Sequence, residues 1–136
     1  MYRVLIVDDH PFIHKFYGIA LQGLPIQLTF AADGLEGVRR AVEIKPHLIF
    51  MDYRMPGLNG EQAALKIRED ASLSSCKIIA LTAESRGKAM QFKGFDGFLL
   101  KPVRAEAVVE VLRQHLDLAN VVVAAAGAAA KIATRY

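Results

Sequence analysis

The sequence predicts an α/β domain built on a parallel sheet with helices packed on both faces. Apolar runs recur at Val4-Leu5-Ile6-Val7, Leu48-Ile49-Phe50-Met51, Ile78-Ile79-Ala80-Leu81 and Phe98-Leu99-Leu100. Runs this short and continuous read as strands buried on both sides. Each run is closed by polar residues: Asp8 and Asp9, then Asp52, Thr82 and Lys101. The stretches between them carry helical periodicity, and strands alternating with helices imply parallel pairing through right-handed crossovers.

The elements follow in order. After the first strand, Pro11 sits where an N1 proline opens a helix, and Ile13, Phe16, Tyr17, Ala20, Leu21 and Leu24 recur on one face. The segment from Ile26 to Ala31 alternates in polarity, as an edge or half-exposed strand does. Asp33 and Glu36 have capping-box spacing and open a second helix, with Leu35, Val38 and Val42 expected to face inward until Pro46 ends it. Asn59 and Gln62 open a third helix in the same way, carrying Leu65 and Ile67. The last helix follows Pro102, with Val108, Val111, Leu112, His115 and Leu116 on one side. The result is a strand-helix unit repeated five times.

Composition narrows the function. A chain of 136 residues, 53% hydrophobic and 23% charged, suits one globular domain. Its single Cys76 excludes an internal disulfide, suits a reducing compartment and reads as a small buried hydrophobe. The N-terminus enters a strand at once, without the features of a secretory signal, so a cytoplasmic location is expected. Val121 to Ala130 is too short and too alanine-rich for a bilayer span, so no membrane partner is expected. The net charge of +3 is spread over all the helices without interleaved aromatics, so the domain is not expected to bind nucleic acid directly. Arg86, Lys88 and Lys93 form the one local basic group, placed on a helix and suited to an acidic partner. Composition changes sharply after residue 118. Residues 1–118 are therefore read as the domain, and 119–136 as an alanine-rich extension, connector or tail.

In open α/β sheets, ligands bind outside the carboxyl ends of the strands, and that is the edge where the polar residues fall. Three carboxylates, a hydroxyl and an ammonium gathered there suit a metal-dependent phosphoryl site. His10 and His14 have the i,i+4 spacing of a metal pair, but without a third soft ligand they are set aside as exposed residues. His47 and His115 read as a strand-start and a helix-face residue.

Four segments, Val7-Asp8-Asp9-His10-Pro11, Met51-Asp52-Tyr53-Arg54-Met55-Pro56-Gly57-Leu58-Asn59-Gly60, Leu81-Thr82-Ala83 and Asp96-Gly97-Phe98-Leu99-Leu100-Lys101-Pro102, occur in this order, each at a strand end. Together they resemble the receiver domain of two-component response regulators, over roughly residues 1–118. The resemblance implies a doubly wound, flavodoxin-like (βα)5 fold with strand order 2-1-3-4-5. It implies that Asp52 accepts a phosphoryl group from a sensor histidine kinase or a histidine phosphotransfer domain. The cofactor implied is Mg²⁺ or Mn²⁺, bound by Asp9, Asp52 and the backbone carbonyl of Arg54, with Asp8 acting largely through water. Lys101, the Thr82 hydroxyl and the Ala83 amide would contact the phosphoryl oxygens. Thr82 and Phe98 would be the switch pair, Lys101-Pro102 a cis peptide bond, and Arg54 and Glu84 the residues that tune hydrolysis.

Signalling would pass through the fourth helix, fifth strand and fifth helix to a downstream protein or a second copy of the chain. The chain would then catalyse only its own phosphorylation and dephosphorylation. The stretch from Thr82 to Lys101 departs from the family pattern. It is about three residues short, close to one helical turn of about 3.6 residues, so the fourth helix or its leading loop should be trimmed. Gly87 and Gly94 weaken that helix further.

Three alternatives compete. A phosphatase of the haloacid dehalogenase type also uses a strand-end Asp, a Thr, a Lys and Mg²⁺, but wants a second acid two residues after the nucleophile, where Arg54 stands. A flavodoxin-like cofactor binder needs a phosphate loop in place of Asp-Asp-His-Pro. A receiver reduced to a docking module needs none of Asp8, Asp9, Asp52, Thr82 and Lys101.

Overall fold

The computed structural model describes residues 1–118. The expectation for residues 119–136 lies outside them. The elements are β1 (Tyr2–Val7), α1 (Pro11–Ala20), β2 (Ile26–Ala31), α2 (Gly34–Ile44), β3 (Leu48–Asp52), α3 (Gly60–Arg68), a 3-10 turn (Ala71–Leu73), β4 (Lys77–Thr82), α4 (Arg86–Ala89), β5 (Gly97–Leu100) and α5 (Ala105–His115). The strands form one parallel sheet in the order β2-β1-β3-β4-β5. The predicted fold class and strand order hold.

Side chains alternate across a strand, and here the alternation builds two cores. Val4 and Ile6 of β1 with Leu48 and Phe50 of β3 pack toward Tyr17, Leu21, Val108 and Leu112 of α1, the segment after it and α5. Leu5, Val7, Ile49 and Met51 pack toward Ala41, Ala63, Ala64 and Ile67 of α2 and α3. Residues 4–7 of β1 and 48–51 of β3 are therefore apolar at every position. Asp8 follows the last residue of β1 and Asp52 is the last residue of β3, where the two strands open into loops.

Two helices depart from the expected faces. On α2, Leu35 and Val42 are exposed, and Gly34, Gly37 and Ala41 form the buried side. The cause is a close approach: a Cβ on Gly37 would sit 2.9 Å from both Val7 methyl carbons. Only small residues fit between this helix and β1. On α3, Ala63, Ala64 and Ile67 are buried, whereas Leu65 is partly exposed.

The caps anchor the loops around the strand ends. Asn59 Oδ1 accepts from the Gln62 amide, and Gln62 Oε1 accepts from the Asn59 amide, a complete capping box. Asp33 Oδ1 accepts from the Glu36 amide, but Glu36 reaches back one residue further, to the Ala32 amide. The helix α4 has four residues, so the shortening read from the sequence falls on this helix. Arg86 and Lys88 lie on it, while Lys93 lies beyond its end.

Candidate functional site

Asp8, Asp9 and Asp52 converge. β1 and β3 are hydrogen-bonded neighbours, with Val7 level with Met51, so the residues that follow leave the sheet side by side. Ligand atoms of Asp8, Asp9, His10 and Asp52 all lie within 4.8 Å of one another. Asp9 does not cap α1, whose N-cap residue is His10 with no side-chain cap bond. Its carboxylate faces the other acids instead.

Asp52 is 1% exposed. One of its oxygens, Oδ1, accepts a bond from the Lys101 ammonium at 2.8 Å. The other, Oδ2, is buried with no hydrogen-bond partner. A buried carboxylate oxygen without a partner carries an uncompensated desolvation cost. Burial accordingly pushes the Asp52 carboxyl above the usual range; Lys101 pulls it down less, and the charges of Asp8 and Asp9 push it up further. The atom that would relieve this strain is a cation, and oxygen donors from several carboxylates are the set that hard Mg²⁺ or Mn²⁺ accepts. The donor set and the partnerless oxygen fit that ion.

Thr82 ends β4 fully buried, and its Oγ1 accepts from the Glu84 amide at 3.0 Å, which leaves the hydroxyl proton free to donate. Lys101 is aligned by the sheet: its amide donates to the Thr82 carbonyl at 2.8 Å, and the peptide bond to Pro102 is cis. Ala83 is exposed at the start of the next loop. At the rim, Arg54 donates to Glu84 in an ion pair, with Lys88 3.9 Å from the second Glu84 oxygen. Phe98 is half-buried, and the Arg86 guanidinium lies over its ring, 5.7 Å from the centroid.

The close approach of β3 to α3 is set by Gly60. A Cβ there would stand 2.7 Å from the Asp52 carbonyl oxygen and 2.8 Å from the Tyr53 Cα. The Gly60 amide donates to the Tyr53 carbonyl at 2.7 Å, closing the loop that carries Arg54. Beside it, the Tyr53 ring stacks on Phe92 with centroids 3.9 Å apart.

Sequence reasoning set His10 aside as an exposed residue near the site, which it is, and gave no sign of its contact with the acids or of the aromatic stack. His10 Nδ1 lies 3.1 Å from Asp8 Oδ1 and 3.2 Å from Asp9 Oδ1, so the imidazole belongs to the acid cluster. Its adjacency to Asp9 was the available signal. His14 instead stacks on Phe30, with centroids 4.3 Å apart. His47 precedes β3 and accepts a bond from the Arg3 amide, away from the site. Cys76 is buried and its thiol is pushed up to about 12, which leaves it without thiolate character.

Comparison with known proteins places this geometry. The response regulator receiver domain family matches residues 4–113. The chain is 34% identical over 122 residues to Protein PilH of Pseudomonas aeruginosa, covering 85% of this chain and 98% of that protein. It is 36% identical over 118 residues to the transcriptional regulatory protein LiaR of Bacillus subtilis, covering 83% of this chain but 55% of the relative. The chain thus spans about half the length of that regulator. Among solved structures, the receiver domain of sensor histidine kinase PA1611 from Pseudomonas aeruginosa superposes with a TM-score of 0.76 at 29% identity, covering 84% of this chain and 96% of that one. That domain was crystallised with a magnesium ion coordinated in its active-site cleft. Among the described residues, no helix is long and apolar enough to cross a membrane.

Proposed function

This chain belongs to the response regulator receiver domain family, and we propose that Asp52 is its phosphoacceptor. The donor in this reading is a phosphohistidine on a sensor histidine kinase or a histidine phosphotransfer domain. An Asp52 carboxylate oxygen bonds to phosphorus as the phosphorus–nitrogen bond breaks, and the departing imidazole takes a proton from solvent. An ionised carboxylate needs no general base. What remains is positioning and neutralisation of charge, as in phosphoryl transfer generally.

Asp9, Asp52 and the Arg54 carbonyl would hold Mg²⁺ or Mn²⁺, with Asp8 acting largely through water. The bound cation supplies neutralisation of the negative charge that meets at the carboxylates. Lys101 gives up part of its pairing with Asp52 to meet a phosphoryl oxygen, and the Ala83 amide and the free Thr82 proton meet others. Movement of Thr82 toward the phosphoryl group opens space for Phe98 to turn inward. That turn breaks the Arg86 contact over its ring and changes the face formed by α4, β5 and α5. A downstream protein or a second copy reads that face in the cytoplasm. The Arg54–Glu84 pair shields the rim and slows hydrolysis. Residues 1–118 form the working domain in this reading, with 119–136 as an extension.

The observation that carries the proposal is the buried, partnerless Asp52 Oδ2 beside Asp8, Asp9 and Lys101. Incubation with acetyl phosphate followed by intact-mass analysis tests it. A labile phosphoryl adduct is expected on the wild type with Mg²⁺, and none without metal or on Asp52→Asn. An adduct that survives in Asp52→Asn moves the acceptor elsewhere. Alanine at Arg54 or Glu84 should speed adduct decay, and unchanged decay in both variants removes the tuning role.

A further inference from the structure

The acid cluster contains a nitrogen donor that the oxygen-only metal set leaves unused. His10 Nδ1 stands 3.1 Å from Asp8 Oδ1 and 3.2 Å from Asp9 Oδ1. Two donors bound at right angles to one ion, each about 2.1 Å from it, lie about 3 Å apart. The imidazole nitrogen, in hydrogen-bond contact with Asp8, therefore also stands from each of the two carboxylates at the spacing of a neighbouring ligand around a single centre. The loop supports this placement, because the His10 amide donates to Asp8 Oδ1 at 2.8 Å and ties the residue to the acid it faces. A separate observation points to a ligand at the same place: the Asp52 Oδ2 oxygen is buried, has no partner, and belongs to the same cluster.

We propose that His10 Nδ1 is a metal ligand that lets this site prefer a borderline divalent transition ion, such as Ni²⁺ or Co²⁺, over Mg²⁺. The inference rests on the reading of Asp8, Asp9 and Asp52 as a cation site. Its chemical basis is donor type. Mg²⁺ selects oxygen and gains little from imidazole, whereas affinity for nitrogen donors climbs from Mn²⁺ through Co²⁺ to Ni²⁺. His10 is largely exposed, so its ring can turn toward an ion or away from it without disturbing the core. The same site thus holds Mg²⁺ by oxygen alone and the transition ion by oxygen and nitrogen together. His14 lies one helical turn further on but stacks on Phe30 and stands outside the cluster.

Titration calorimetry of the whole chain with Mg²⁺ and with Ni²⁺ tests the assignment, using wild type, His10→Ala, His14→Ala and Asp52→Asn. The expected wild-type result is Ni²⁺ binding at least about tenfold tighter than Mg²⁺. His10→Ala should lose about tenfold in Ni²⁺ affinity while Mg²⁺ affinity stays within about twofold, and His14→Ala should change neither. In the Ni²⁺-loaded wild type, a paramagnetically shifted imidazole N–H proton resonance should appear and be absent from His10→Ala. Equal Ni²⁺ affinity in wild type and His10→Ala overturns the inference, as does a loss on His14→Ala equal to that on His10→Ala. Failure of the cation-site reading looks different: Mg²⁺ then binds no more weakly to Asp52→Asn than to wild type.

Discussion

The β1–β3 side of the crevice and the β5 edge carry residues of the same motif set, yet different forces hold them. Residues 48–52 are buried throughout, with β1 on one side and β4 on the other. β5 has a strand neighbour on one side, β4; none of its four residues is fully buried, and Leu100 is 40% exposed. The four-residue α4 ahead of it covers little of that strand. Residues 90–96 are held largely by discrete contacts, Phe92 on Tyr53, the Lys93 amide on Glu61, Arg68 on Gly94 and Asp96, and Asp96 on the Ile78 backbone, with Phe95 alone packed against the α2–α3 core. Chemistry needs fixed acids, and a core on both faces of β3 fixes them. In the function proposed above, signalling needs a surface that can change, and a lightly packed edge can change at low cost.

The largest expected effect breaks the rigid side. Ile49→Ala removes a fully buried side chain from β3, three residues before Asp52, and should lower stability by about 3 kcal/mol in urea unfolding. Leu100→Ala at the exposed edge should cost less than about 0.5 kcal/mol. Comparable losses at the two positions would erase the contrast.

Gly60→Ala comes next. Its methyl would meet the backbone of Asp52 and Tyr53, neither of which can swing aside as a side chain can. A loss of about 2 kcal/mol is expected, together with weakened Mg²⁺ binding because the Asp52 backbone must shift.

Asp52→Asn sharpens the comparison from the opposite direction, by making the metal-free chain more stable. The Asp52 carboxyl titrates above its ordinary range in the fold, so the folded state keeps this proton to higher pH than the unfolded state does. Stability from this group is present below the unfolded-state value and is lost as pH rises through the raised folded value. At neutral pH the substitution should therefore raise Tm in the absence of metal and flatten that part of the pH profile. Saturating Mg²⁺ should reverse the order, because the cation stabilises only the acid. A wild type that is the more stable without metal would show that Lys101 alone satisfies the buried charge.

The smallest expected effect lies on the lightly held side. Phe92→Ala removes the stack on Tyr53 and should cost about 0.5–1 kcal/mol globally. Amide exchange should quicken through residues 86–96 and stay unchanged in β1 and β3. An effect spread evenly over the sheet would show that this segment is part of the rigid core.

The strands were readable because each is a local pattern: three or four apolar residues closed by a polar one, or the alternation of Ile26 to Ala31, need no knowledge of the rest of the chain. The Asn59 and Gln62 cap was readable for the same reason. The buried face of α2 was not, because apolar periodicity pointed to Leu35 and Val42 while Gly37 lies against Val7. How close a helix sits to a sheet is a property of two distant segments. His10 was set aside because the search for further soft ligands ran along the sequence, whereas its neighbours in space are carboxylates.

By itself the sequence determined the element order, the parallel sheet and the residues that stand at its carboxyl edge, since burial and periodicity act over a few neighbouring positions. Only the tertiary structure decided that Asp52 keeps one oxygen without a partner, that His10 joins the acids, and that Phe92 stacks on Tyr53. Those outcomes depend on the conformation of the loop after β1 and on distances between segments tens of residues apart, and packing in three dimensions sets both.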